Sequence, residues 1–191
     1  MPRLPLLLAL AALAAAGCDS LGLDRVDERV TDAVLTLTPQ GGGDAVTITA
    51  TDPDGDGRGF FFTPAFVRLR AGATYAGTLA LRDADADLTA EIQDEAEIHL
   101  VRVRPDQGSS TPTDRESDYT ALDTNGADLP VGLRFRLSVD AEASGAGTVG
   151  VTLFHYDAGA KTGPGVLSDA RDLDVDVPVV YARPAAAAPG A

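Results

Sequence analysis

Apolar and polar residues alternate with a period of two over much of the chain between Val30 and Tyr181, the spacing at which successive side chains face opposite sides of a strand. In VTDAVLTLTPQ, Leu35 and Leu37 share one face and Val34 and its i±2 neighbours the other; GGGD interrupts, and AVTITA returns with Val46 and Ile48 together. That pattern predicts a hairpin. DPDGDGRG reads as a loop, Phe66 to Arg70 as a short strand with Val67 and Leu69 inward, and TYAGTLALRD as the next strand after a turn at Ala71-Gly72-Ala73. EIHLVRVRP, LRFRLSVD, GTVGVTLFHY and DLDVDVPVVY alternate cleanly. Between them, Ser109 to Asp118 reads as a polar linker or long loop, Tyr119 to Leu122 as a short strand, and DTNGADLPVG as turn chemistry.

One segment changes period. In DADADLTAEIQDEAEI, Leu88, Ile92 and Ala96 recur every four residues, and Asp87 or Thr89 is placed to cap a helix of about two turns. About eight or nine short strands with turns every 8–12 residues, plus one small helix, predict an all-β, immunoglobulin-like antiparallel β-sandwich, with a small β-barrel as the alternative. No βαβ alternation appears, so a doubly wound α/β fold is disfavoured.

The ends follow other rules. MPRLPLLLALAALAAAGCDS opens with Arg3, continues with an apolar run from Leu4 to Ala16, and reaches Ala15-Ala16-Gly17-Cys18. The run has the length of a signal-peptide core and is too short to span a bilayer. Small residues before a cysteine are what a lipoprotein signal peptidase requires, and Cys18 is the only cysteine of the chain. The expected organisation is a lipoprotein signal peptide over 1–17, a tether over 18–29 carrying the acyl chains on Cys18, a β-sandwich domain over 30–182, and a disordered tail over 183–191. With no second cysteine, the fold has to hold by its apolar core and not by disulfides.

Charge narrows the range of partners. Against 15 basic residues stand 29 acidic ones, giving a formal net charge of −14. There is no basic patch to neutralise phosphates, so nucleic acid is not an expected partner. Cationic partners, metal ions or a salty habitat all fit, and Lys161 is the sole lysine among arginines. Tryptophan is absent, which argues against sugar stacking.

Two constellations carry candidate chemistry. Asp52, Asp54, Asp56 and Gly57 fill positions 1, 3, 5 and 6 of a calcium loop, but position 12, where an EF-hand needs a glutamate, is Thr63, and positions 9 to 11 are Phe60, Phe61 and Phe62. An EF-hand is therefore excluded. What remains is an acidic interstrand turn that either faces water or holds one structural calcium. The only two histidines, His99 and His155, share parity with core-facing valines and leucines near strand ends. Together with Glu95 they form a candidate zinc or copper set if the fold brings them together; otherwise they are independent strand-end histidines. Asp172, Asp174 and Asp176 alternate with Leu173, Val175 and Val177 and read as the solvent face of one strand. No G-x-S-x-G, H-E-x-x-H, phosphate loop or dinucleotide fingerprint occurs, so catalysis is not expected.

Taken in order, VTLTPQGGGDAVTITATDPDGDG, AGATYAGTLALRD, DLTAEIQDEAEIH, VTLFHYDAGAKTGPG and DLDVDVPV resemble a family of small Bacteroidota-type cell-envelope lipoproteins of unknown function, over roughly residues 30 to 181. Members sometimes carry the label of a type 1 periplasmic binding fold, which is built of α/β lobes, whereas this chain reads all-β. The resemblance implies no activity. It places Asp52, Asp54, Asp56, Glu91, Glu95 and His99 at motif positions, and the chain departs from the motif at Gln93 and Ile98. The expected function is a lipid-anchored, non-catalytic binding or accessory module of the bacterial envelope. It would sit on the inner or outer membrane, face the periplasm or the exterior, and have an envelope protein as partner. The alternative is a periplasmic metal-binding lipoprotein serving metal uptake or storage.

Overall fold

A computed structural model describes residues 29–84, 86–120, 127–156, 159–163 and 165–183. The expected signal peptide over 1–17, Cys18 and the residues from 184 onward lie outside the described residues. Among those described, no helix is long and apolar enough to cross a membrane.

The described residues form an all-β sandwich of eleven strands and one short helix. In order these are β1 (Asp32–Pro39), β2 (Val46–Thr51), β3 (Phe61–Thr63), β4 (Val67–Arg70), β5 (Thr74–Asp83), β6 (Ala86–Asp87), α1 (Leu88–Asp94), β7 (His99–Pro105), β8 (Gly108–Pro112), β9 (Arg134–Val139), β10 (Gly145–His155) and β11 (Ala170–Ala182). One sheet runs β3-β2-β1-β5-β9-β8, with β6 folded onto β5; the other runs β4-β11-β10-β7. All pairings are antiparallel except β4 with β11.

Alternation decides which residues fill the space between the sheets. Leu35, Leu37 and Ile48 from the first hairpin meet Leu79, Leu81, Phe135 and Leu137 within one sheet. Opposite them stand Val101 and Val103 of β7, Val149, Val151 and Leu153 of β10, and Leu173, Val175 and Val177 of β11. Gly77 lies directly across from Phe135, whose ring covers it so closely that a Cβ there would overlap the ring. An aromatic residue covering a strand glycine is one device that pins register. Asp87 caps α1 by accepting from the Thr89 N–H at 3.0 Å, and Thr89 itself bonds the Leu81 backbone, which anchors the helix to β5.

The expected polar loop from Ser109 to Asp118 needs correction. Its first part is β8, an edge strand paired to β9, and its end is a 3₁₀ turn over Glu116–Asp118. β8 is half-exposed to exposed throughout, so neither side has to be apolar and the period-two signal is lost. The short strand expected from Tyr119 to Leu122 does not form at Tyr119 and Thr120, which close that turn; residues 121 and 122 lie outside the described residues.

A second, smaller apolar cluster of Ile98, Leu100, Phe154 and Tyr156 covers the outer face of the β7–β10 pair at one end. There the pair is buried on both faces, and that end carries the two histidines.

Candidate metal centre

His99 opens β7 and His155 closes β10, and the two are direct partners in the antiparallel ladder. Opposed residues have Cβ atoms about 4.5–5.5 Å apart, so parity and register together force the imidazoles to meet. Their ring centroids are 4.8 Å apart with the planes inclined by 62°. Both residues are buried, at 0% and 2% exposure.

The third member comes from β11. Along β10 and β11, Leu153 pairs with Leu173, but the next residue, Phe154, pairs with Arg171. Asp172 is the extra residue of a β-bulge. Simple alternation would set it outward beside the exposed Asp174 and Asp176; a bulge re-aims a side chain, and here it turns the carboxylate inward. The Asp172 side chain is 1% exposed, with Oδ2 3.5 Å from His155 Nδ1. One ligand atom from each of His99, His155 and Asp172 lies within 4.8 Å of the others. The reading of Asp172 as part of a solvent face is thus corrected, while Asp174 and Asp176 do face solvent.

The surroundings fix these groups. His99 Nδ1 lies 3.2 Å from the Glu95 carbonyl oxygen, an acceptor to which an Nδ1–H donates. Glu95 contributes this backbone oxygen, while its half-buried side chain stands outside the three-residue cluster. The His99 carbonyl accepts from Lys161 Nζ at 2.9 Å. Lys161 also donates to the Pro130 carbonyl at 2.7 Å and pairs with Glu116 Oε1 at 3.1 Å, both side chains being at most 3% exposed. Burial pulls the Lys161 ammonium below its ordinary value, and the bond and charge of Glu116 partly offset this. Beside it, buried Asp114 accepts from the Gly132 and Arg134 backbone N–H groups and from the Tyr119 hydroxyl. Nothing in the sequence pattern flagged this belt, because its members lie in loops; the only trace was that the chain keeps a single lysine.

The second candidate, Asp52, Asp54 and Asp56, lies in the β2–β3 connection and forms a group of its own. Its carboxylate oxygens also fall within 4.8 Å of one another. Asp52 is fully buried and the other two are exposed. Asp52 Oδ2 accepts from the Gly57 N–H at 2.7 Å, and Asp56 Oδ1 from the Arg58 N–H at 2.9 Å. Burial, followed by the closeness of Asp54, pushes the Asp52 carboxyl up.

A cleft of about 490 Å³ runs along β7 and β8 between Leu100, Arg104, Ser110 and Phe135. None of the histidine or aspartate clusters lines it. No family model, curated protein or solved structure matches the chain.

Proposed function

We propose that the protein is a lipid-anchored, non-catalytic module of the bacterial cell envelope that holds one transition-metal ion between His99, His155 and Asp172. The observation that carries this reading is the convergence of two imidazoles and one carboxylate, from three strands, inside the sandwich. Two nitrogens and one oxygen suit zinc and its first-row neighbours and do not suit calcium or magnesium, which prefer all-oxygen shells. The His99 Nδ1 bond to a carbonyl is the outer-shell contact that orients ligating histidines. Burial of all three side chains favours holding an ion over presenting it to a substrate. The anchoring half of the reading rests on Ala15-Ala16-Gly17-Cys18.

Calorimetric titration of the protein with zinc, paired with the visible spectrum of the cobalt form, tests the metal. One ion per chain and a cobalt spectrum of nitrogen–oxygen ligation are expected, both lost in His99→Ala and His155→Ala variants that keep the wild-type circular dichroism. A folded wild-type protein that gives no saturable heat with zinc or cobalt would overturn the reading. For the anchor, labelled palmitate should enter the wild-type chain in cells and not Cys18→Ser.

A further inference from the structure

We infer that the Asp52-Pro53-Asp54-Gly55-Asp56-Gly57 turn is a second, separate metal site that takes a hard, calcium-sized divalent cation. Three carboxylates by themselves would not carry this; a solvated acidic turn looks the same in composition. The deciding observation concerns Asp52. The residue is 0% exposed, its Oδ2 is engaged by the Gly57 N–H, and its Oδ1 is buried with no hydrogen-bond donor among the described residues. A carboxylate oxygen sealed from water without a donor is costly. That oxygen belongs to the group whose ligand atoms converge with those of Asp54 and Asp56.

One neighbouring cation is committed elsewhere. Arg29 lays its aliphatic stem over Gly55, but its guanidinium binds Asp83 at 3.0 Å. Arg58 sits on the rim of the same depression and engages Asp56 through its backbone N–H. Each of the three carboxylates brings an oxygen within 4.8 Å of the other two, near enough for one ion to be shared among them. The backbone suits such a loop. Gly55 and Gly57 have φ of 64° and 78°, which let the chain curl so that alternate aspartates point to one place. Oxygen-only donors select calcium over zinc, and the open rim leaves room for waters to complete a shell of six to eight. The fit is to a loop that closes on an ion at the level of extracellular modules, with Kd about 10⁻⁴–10⁻³ M.

The inference does not depend on the histidine cluster, and the test keeps the two apart. Calcium is titrated into the full chain by calorimetry, with melting curves recorded alongside. Asp54→Asn/Asp56→Asn is the main variant, because both side chains are outside the buried core. Asp52→Asn is the second, read only if its circular dichroism is wild-type. One bound calcium and a raised melting temperature are expected, with at least tenfold weaker calcium binding in the double variant and unchanged zinc binding. Absence of saturable heat and of any melting shift at millimolar calcium would overturn the site. So would equal calcium affinity in wild type and double variant.

Discussion

Asp172 Oδ2 stands 3.5 Å from His155 Nδ1, both side chains at most 2% exposed, although strand alternation assigns them to opposite faces of their sheet. One extra residue in β11 accounts for this. The bulge brings a carboxylate beside an imidazole pair that register had already assembled, so the candidate centre depends on a single irregularity in an otherwise regular ladder.

The bulge separates Asp172 from its sequence neighbours, and a substitution pair reads that difference. Asp172→Asn should weaken zinc binding by roughly 10–100-fold. Asp174→Asn, two residues on and exposed, should leave zinc affinity unchanged. Calorimetry on both variants checks this; equal losses, or none in either, would contradict the assignment of Asp172.

The buried Lys161–Glu116 pair makes a stability prediction. Removing one partner leaves the other charge buried, which costs about 3–5 kcal/mol. Lys161→Met should therefore lower the urea midpoint sharply, since it also strips a donor from the His99 and Pro130 carbonyls. Lys161→Met/Glu116→Gln should recover part of that loss. If the double variant proves less stable than the single one, the charge is not the main term.

Tyr119 provides a pH test. Burial, then the hydrogen bond and charge of Asp114, push its phenol from 10.0 up to about 12. Between those values the unfolded chain has released the proton and the folded chain has kept it. Folded protein binds more protons there, so stability contributed by this group is complete below pH 10 and declines toward pH 12. Tyr119→Phe should remove the phenolate absorbance that titrates near 12 and flatten that part of the stability curve. A difference spectrum centred near 10 would show that the Asp114 contact does not hold in solution.

Gly77 and Phe135 test the packing between β5 and β9. Gly77→Ala forces the covering ring to move and should cost about 1–3 kcal/mol, as overpacked cores do. Phe135→Ala opens a cavity in the main core and should cost about 3–5 kcal/mol. Denaturant titration gives both values, and a neutral Gly77→Ala would mean that the ring relaxes freely.

Much of the fold was legible along the chain because burial writes itself into alternation. The β1–β2 hairpin, the inward Val67 and Leu69, the helix capped by Asp87 and the long strands β10 and β11 follow from local spacing and turn residues. β8 was not legible, because an exposed edge strand has no side that must be apolar. Parity also put His99 and His155 on inward stripes, and the ladder keeps them there.

By itself, then, the sequence determined which apolar residues the alternating strands bury, since every position carries its own transfer free energy and the period of two needs no distant partner. Tertiary structure alone decided which buried residues meet. Register set His99 opposite His155, one inserted residue turned Asp172 inward against its own alternation, and loop packing sealed the single lysine beneath the His99 carbonyl. Those outcomes depend on pairing between segments far apart in the chain, and a one-residue slip in any of them would send the same side chains to the opposite face.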